Sequence, residues 1–491
     1  MPIVTDAVGR DRARLPSREV LWYSLGSAPG GIGLLAWNYL VFYYIQIVGL
    51  SGSLIGTAAL LISVFDAVTD PVVGAISDRT RGRLGRRHPY LLLASIPSAL
   101  TFYWMFALPS GVSITALMAW LLALHLTKRL IDTFYSVPYL ALGAEISSDH
   151  EERTYIATMR SVFFNIGRAT AGAILLLVFL RPTPEYPNGQ LNPEGYTSFA
   201  ALMAVVIALT LWASAWRTRS WIPRLSAAAM GEARSLRRIF GEYGQALAHR
   251  SFRAVLFASV SRHIAWGTAD TLGLFTATYF WQVSTDTLFL WGIGMFTGMF
   301  TGLPFWRRMA NRIGKKPVAI VGDLLYLFFF CTPYLAKIAG FWPDNESPLY
   351  LPLWIFTTGF LAHFGIAAAG PMIGSMLGDV TDEDELATGR RREGVIFGAE
   401  SFAWKALTGL GPLVAGVMID LVGLGDKVAP EAVAPEVVTA LGLAQGGMMV
   451  VFFVLALFFI RNYDLDRARH QRILAQLEER RREADGRSFP A

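Results

Sequence analysis

The stretch "FDAVTDPVVG" (65–74) sets Asp66 and Asp70 four positions apart inside an otherwise apolar run. On a helix that spacing puts both carboxylates on one face. An ionisable group at bilayer depth costs about 2.5–3.5 kcal/mol on insertion scales, so each one is a functional candidate until a partner accounts for it. Pro71 follows directly, lacks a backbone donor and frees the carbonyl of residue 67. The oxygens gathered here suit a hard cation. The competing reading is a structural ion pair with an arginine or lysine from a neighbouring helix.

The same reasoning singles out few other residues. "HLTKRLIDTFYSVP" (125–138) carries Lys128, Arg129, Asp132 and Thr133, and Asp132 can reach Lys128 at i−4 or Arg129 at i−3. These charges read either as a pair closed on the helix surface or as contacts for a substrate. Arg160 and Arg168 lie on the next apolar run, Arg262, His263 and Asp270 on a later one, and Glu400 and Lys405 in "FGAESFAWKALTG" (397–409). His263 is expected to be a satisfied core histidine. The runs at 317–337 and 437–460 supply little of this kind. Cys331 is the only cysteine, which excludes an intramolecular disulfide and a multi-cysteine metal site; ordinary helix packing is expected of it.

Side chains of these types need elements that hold them at depth. The 491-residue chain is 53% hydrophobic and only 16% charged, more apolar than a water-soluble core of this size requires. A helix needs about 20 apolar residues to cross a bilayer. Runs of that length fall near 20–48, 54–77, 90–108, 113–143, 156–180, 199–217, 254–282, 287–306, 317–337, 351–377, 394–421 and 437–460. They predict an all-α polytopic membrane protein with twelve transmembrane helices. The first nineteen residues carry Arg10, Arg12, Arg14 and Arg18 around no apolar core, so no removable signal peptide is expected.

The net charge of +6 is unevenly distributed. Basic residues gather in alternate loops: Arg79, Arg81, Arg83, Arg86 and Arg87; Arg234, Arg237 and Arg238; Arg307, Arg308, Arg312, Lys315 and Lys316; Arg390, Arg391 and Arg392. The intervening loop "RPTPEYPNGQLNPEGYTS" (181–198) is almost free of base. This positive-inside pattern places the chain in a plasma (bacterial inner) membrane with both termini cytoplasmic, and argues against nucleic acid as a partner.

Two segments echo each other. "RLGRRHP" (83–89) is matched by "RIGKKP" (312–317), and "LGAEISSDHEERT" (142–154) by "LGDVTDEDELATG" (377–389), each pair about 230 residues apart. Two similar halves explain this most simply. The domain organisation predicted is a cytoplasmic N-terminal segment (1–19), a six-helix bundle (20–217), a cytoplasmic central loop (218–253), a second six-helix bundle (254–460) and a cytoplasmic tail (461–491). Parallel halves of this kind resemble the major facilitator superfamily, in which the substrate sits at mid-membrane between rocking halves. "GAISDRTRGRLGRR" (74–87) is also similar to that superfamily's loop signature, which latches helix ends by charge pairing. The repeated glycine suits the tight turn between the helices. The acidic run "DVTDEDE" (379–385) is placed in a loop, and the tail is expected to be a short charged helix, solvated or on the membrane surface.

Nearly the whole chain, from "YYIQIVGLS" (43–51) through "FDAVTDPVVG", "VPYLALGAE" (137–145) and "DVTDEDE" to "AWKALTG" (403–409), resembles the glycoside-pentoside-hexuronide:cation symporter family. The resemblance implies a coupling sodium, lithium or proton held by Asp66 and Asp70, completed by the Thr133 hydroxyl, with Thr69 where galactoside carriers have asparagine. If sodium couples, those two carboxylates are its metal ligands. Lys405 aligns with a lysine that approaches the same site and compensates its charge. Arg160 aligns with an arginine near the sugar cavity. The aspartates that grip a galactoside are replaced by Gly30 and Ser136, and flanking tryptophans by Leu140 and Gly370. A site built around hydrogen bonds to sugar hydroxyls loses most of its affinity without such carboxylates.

The resemblance therefore implies secondary active symport of a small organic solute, a sugar, glycoside, uronate or related compound, by a functional monomer without a cofactor. The substrate cavity would include Arg160, Lys128, Arg129, Asp132, Ser136 and Gly30. Lys128 and Arg129 would suit an anionic solute. "GSAPGGIG" (26–33) and "VPYLAL" also resemble the related lysolipid symporters, so an amphiphile symporter or an uncoupled facilitator of the same fold is the alternative. A membrane-embedded enzyme is more remote. Asp-x-x-x-Asp also serves prenyltransferases, but those need a second acidic cluster on another helix.

Overall fold

A computed structural model describes residues 3–5, 11–13, 16–147, 149–224, 236–425 and 428–487. Arg10 and Arg14 of the N-terminal segment and Arg234 of the basic loops lie outside the described residues. A chain this apolar can satisfy its backbone in lipid only with helices or a closed barrel, and here it is helical. The exception among the described residues is a short antiparallel pair near the N-terminus, β1 (Ile3–Thr5) with β2 (Asp11–Ala13).

Ten helical segments are long and apolar enough to cross a membrane. The other two predicted spans are helices as well. One, His88–Trp104, has 17 residues; the other, Arg250–Phe275, carries Arg250, Arg253, Arg262, His263 and Asp270, which dilute its hydropathy. In chain order the first half contains α1 (Ser17–Leu25), α2 (Ala28–Phe42), α3 (Gly52–Arg79), α4 (His88–Trp104), α5 (Ile114–Glu145), α6 (His150–Ile174) and α7 (Pro193–Arg217). The second contains α8 (Leu236–Ala246), α9 (Arg250–Phe275), α10 (Thr285–Ile313), α11 (Lys315–Ile338), α12 (Tyr350–Trp354), α13 (Ala362–Ile366), α14 (Ala369–Thr388), α15 (Glu393–Leu407), α16 (Leu410–Val422), α17 (Pro435–Ile460) and α18 (Arg467–Arg487). The segment read as a central loop thus includes a 3-10 turn at Thr218–Arg224 and all of α8.

The chain divides into two compact units: residues 1–233 with 284–289 and 425–428, and residues 234–283 with 290–424 and 429–491. In the first, α2 lies directly on α6. A Cβ at Gly31 would stand 1.9 Å from the Phe164 carbonyl oxygen, and one at Gly167 would stand 2.3 Å from that of Ala28. Only glycine permits backbones this close, as in membrane helix pairs generally. The second unit repeats the device, since a Cβ at Gly411 of α16 would lie 2.6 Å from the carbonyl carbon of Gly267 in α9.

The echoed loops meet within each unit. Gly85 and Gly314 both turn the chain with positive φ, 68° and 91°. In the first unit Arg87 reaches Glu145 at 2.5 Å and Arg86 reaches it at 3.0 Å. In the second, Lys315 donates to both Asp379 oxygens at 2.6 and 2.8 Å, and the Tyr463 hydroxyl adds a bond at 2.9 Å.

Two sequence expectations are corrected. The run 379–385 is not a loop, because α14 continues to Thr388, and its carboxylates are held by Arg391, Arg392, Arg469 and Arg481. The tail is not a free solvated helix. In α18 Ile473 and Leu477 are each 5% exposed and join Met376, Val380 and Phe252 in one apolar cluster. Its charged face is the part spacing could reveal; its apolar contacts come from helices far away in sequence.

Candidate functional site

Asp66 sits on α3, whose helix runs unbroken through Pro71. Thr133, 1% exposed on α5, donates its hydroxyl to Asp66 Oδ1 at 3.2 Å. Arg129 Nε, one turn earlier on α5, lies 3.5 Å from the same oxygen. A single carboxylate oxygen therefore faces both a hydroxyl and a guanidinium from the neighbouring helix. The ion-pair reading of Asp66 has structural support in Arg129, and the hydroxyl expected in a cation site is also in place. Thr69 bonds back to its own helix, donating to the Phe65 carbonyl at 3.0 Å and the Asp66 carbonyl at 3.3 Å. Its oxygen is left only as an acceptor toward any ligand.

Asp132 had two possible partners on its own helix, and the structure gives it Lys128. The pair is extended to α4 by Ser98, which donates to Asp132 Oδ1 at 2.7 Å and accepts from Lys128 at 3.3 Å. Arg129 is consequently left for Asp66. Arg160, on α6, holds its guanidinium 5.6 Å from the Tyr139 ring, while its carbonyl accepts from the Ser27 hydroxyl at 2.7 Å. Its Nε is buried without a hydrogen-bond partner among the described residues. Tyr139 stacks on Tyr23 at 4.4 Å, and each hydroxyl bonds the other's carbonyl, at 2.7 and 2.8 Å. Ser136 and Leu140 are exposed on α5. Gly30 is exposed too, but a Cβ there would come 3.1 Å from the Phe164 ring, so the local packing favours a small residue.

Over residues 22–467 the chain matches the family described as MFS/sugar transport protein. It belongs to that family.

The chain is similar to the putative glycoside/cation symporter YagG of Escherichia coli (strain K12), 26% identical with 97% of this chain and 98% of that protein covered. It is also similar to the isoprimeverose transporter of Lactiplantibacillus pentosus, 23% identical with 95% and 92% covered. Among solved structures the nucleoside transporter NupG superposes with a TM-score of 0.59 at 15% identity, covering 91% of this chain and 99% of that one. That likeness speaks for the fold, which is the major facilitator fold. The protein is an integral membrane protein and a secondary active transporter of the symporter type. The family is one of transporters, which points away from the enzyme reading.

The second unit of this MFS sugar-transport chain carries its own polar network. Lys405 is half-buried on α15. On the same helix Glu400 accepts from the Ser259 hydroxyl at 2.9 Å, and His263 Nδ1 donates to the Ser259 carbonyl at 2.7 Å. His263 is thus satisfied, as expected of a core histidine. The buried Cys331 thiol rests 3.6 Å from the Gly446 carbonyl.

Sequence reasoning missed one buried pair entirely. The run at 317–337 was expected to supply little, yet Asp323 on α11 is fully buried and takes three bonds from Arg262, at 2.6, 2.8 and 3.0 Å. The available signal was a lone aspartate in "VGDLL" opposite an already noted arginine; nothing in either helix alone connects them.

Proposed function

We propose that the protein carries a sugar, glycoside, uronate or related small organic solute across the bacterial inner membrane together with sodium or a proton, by alternating access. The observation that carries this reading is the Asp66 carboxylate, placed against the Thr133 hydroxyl and the Arg129 guanidinium. On α3 and α5 the membrane-embedded acids Asp66, Asp70 and Asp132 outnumber the bases Lys128 and Arg129 by one. One monovalent cation cancels that excess. Lys405 is assigned the compensating charge when the ion has left, a role carried over from the family resemblance. Empty and fully loaded carriers then cross, while half-loaded ones are penalised by uncompensated charge, so solute and ion promote each other's binding.

Relatives named for glycosides and for isoprimeverose support a sugar-bearing solute. Gly30 and Ser136, in place of gripping aspartates, support a solute other than a galactoside. Arg160, Lys128, Arg129 and Asp132 are the remaining charges of the proposed cavity in the first unit, within a monomer whose termini are both cytoplasmic.

The test is uptake into liposomes under imposed sodium or proton gradients. Asp66→Asn and Asp70→Asn are expected to abolish gradient-driven uptake while the purified proteins still elute as folded monomers. Normal cation-dependent accumulation in both variants would sink the reading. Wild-type uptake that follows neither gradient would instead identify an uncoupled facilitator.

A further inference from the structure

Beside the proposed cation site lies a narrow slit of about 20 Å³, room for about one water, between α2, α3 and α5 and the π turn Tyr43–Val48 that ends the first span. Ile55, Ala58 and Ile62 line it from α3; Leu121 and His125 face them from α5. These are the faces that carry Asp66 and Arg129 one turn further on, about 6 Å along each helix axis. The slit therefore lies directly beyond the Asp66 site, toward Gly52 and Ile114, the ends of α3 and α5 opposite the basic loops.

Its lining is mostly apolar, and His125 brings to it a nitrogen without a partner among the described residues. His125 is 7% exposed, and its Nδ1 lies 2.8 Å from the Leu121 carbonyl oxygen. A carbonyl only accepts, so Nδ1 carries the hydrogen and neutral Nε2 is a bare lone pair. Nε2 is buried and has no hydrogen-bond partner among the described residues. The rings of Trp37 and Tyr44 stand edge-on to the imidazole, each at 5.8 Å. The Tyr44 hydroxyl is committed to the Met105 carbonyl at 2.6 Å.

The chemistry of the lining decides what can pass. A sugar would strand its hydroxyls against one acceptor, and a sodium ion needs several oxygens, which the slit does not supply. A proton carried on water needs only one lone pair. Resting on the cation-site reading above, we propose that the slit is the extracytoplasmic route of the coupling proton and that His125 Nε2 is its acceptor. The step balances simply. Hydronium gives its proton to Nε2 and is left as water, and the imidazolium keeps its Nδ1 hydrogen on Leu121. The proton then leaves from Nε2 toward the Asp66 site.

The charged groups near the imidazole are Lys128 and Arg129 on its own helix. Tyr44 faces it from the first span, and the α3 lining residues carry no charge.

A protonated imidazole against an indole quenches its emission, which supplies a readout that needs no substrate. Acidifying the purified full-length protein from about pH 7 to about pH 3.5 is expected to quench part of the tryptophan emission, and that part disappears in Trp37→Phe, His125→Phe and His125→Gln alike. The glutamine variant keeps a polar side chain, so agreement between the two His125 variants separates loss of the titrating group from loss of fold. In liposomes, proton-driven uptake of methyl β-D-glucuronide or methyl β-D-xyloside is expected to fall about tenfold or more in both His125 variants. Full quenching in the His125 variants overturns the assignment of His125 alone. Intact proton-driven accumulation in Asp66→Asn overturns the cation site beneath it.

Discussion

Arg129 and Thr133 share one oxygen of Asp66. In the proposed cation site a coupling ion would weaken the guanidinium contact, whereas the hydroxyl can remain. Thr133→Val removes the hydroxyl at nearly constant volume. A hydrogen bond to a charged group contributes about 1.5–3 kcal/mol, so the half-saturating cation concentration for uptake is expected to rise about tenfold to a hundredfold. The Arg262–Asp323 pair belongs to stability instead. Asp323 is fully buried, and Asp323→Ala leaves the guanidinium without its counter-charge. The expected loss is about 3–5 kcal/mol, read as a lower melting temperature of purified protein. Replacing both partners by leucine and methionine is expected to restore most of it, because two apolar groups of similar size leave no buried charge.

Among the elements, α18 changes meaning most. Arg469 joins Glu383 of α14 and Asp464 at 2.6 Å each, and His470 reaches Asp382 at 3.0 Å, so the helix is fastened to the end of α14 that also carries the Lys315–Asp379 contact. Partial burial alone would raise the Asp464 carboxyl. The hydrogen bonds and charge of Arg469, helped by the Ser251 hydroxyl, outweigh burial and hold it below the usual carboxylate range. A depressed carboxyl contributes at neutral pH and loses that contribution as pH falls through its folded value, below about pH 4. Limited proteolysis is therefore expected to spare the tail at neutral pH and to release it under acid conditions. Ile473→Glu, which buries a charge in the apolar contact, is expected to release it already at neutral pH.

For the whole molecule the orientation is the property to measure. In a Cys331→Ser background, a single cysteine introduced in 181–198 is expected to react with a membrane-impermeant maleimide on intact cells. One introduced in 307–316 is expected to react only after permeabilisation. The reverse pattern would reverse the membrane orientation read from the basic loops.

The order of the helices and the spacing of the carboxylate pair in "FDAVTDPVVG" were legible because they are local. Apolar run length, four-residue spacing and the alternation of basic loops are properties of consecutive residues. The repeat could be read too, since it recurs along the chain, and both glycine turns follow from it. Which charge meets which across helices was not legible. Asp132 could take Lys128 or Arg129, and its choice of Lys128 leaves Arg129 for Asp66. Asp323 looked unimportant until α11 brought it onto Arg262, α18 looked solvated until Ile473 and Leu477 found a core, and His125 drew no notice until three spans closed around it. Each outcome depends on how far a helix is rotated and shifted against its neighbour. The spacing within one helix fixes which side chains share a face, and packing fixes what that face meets.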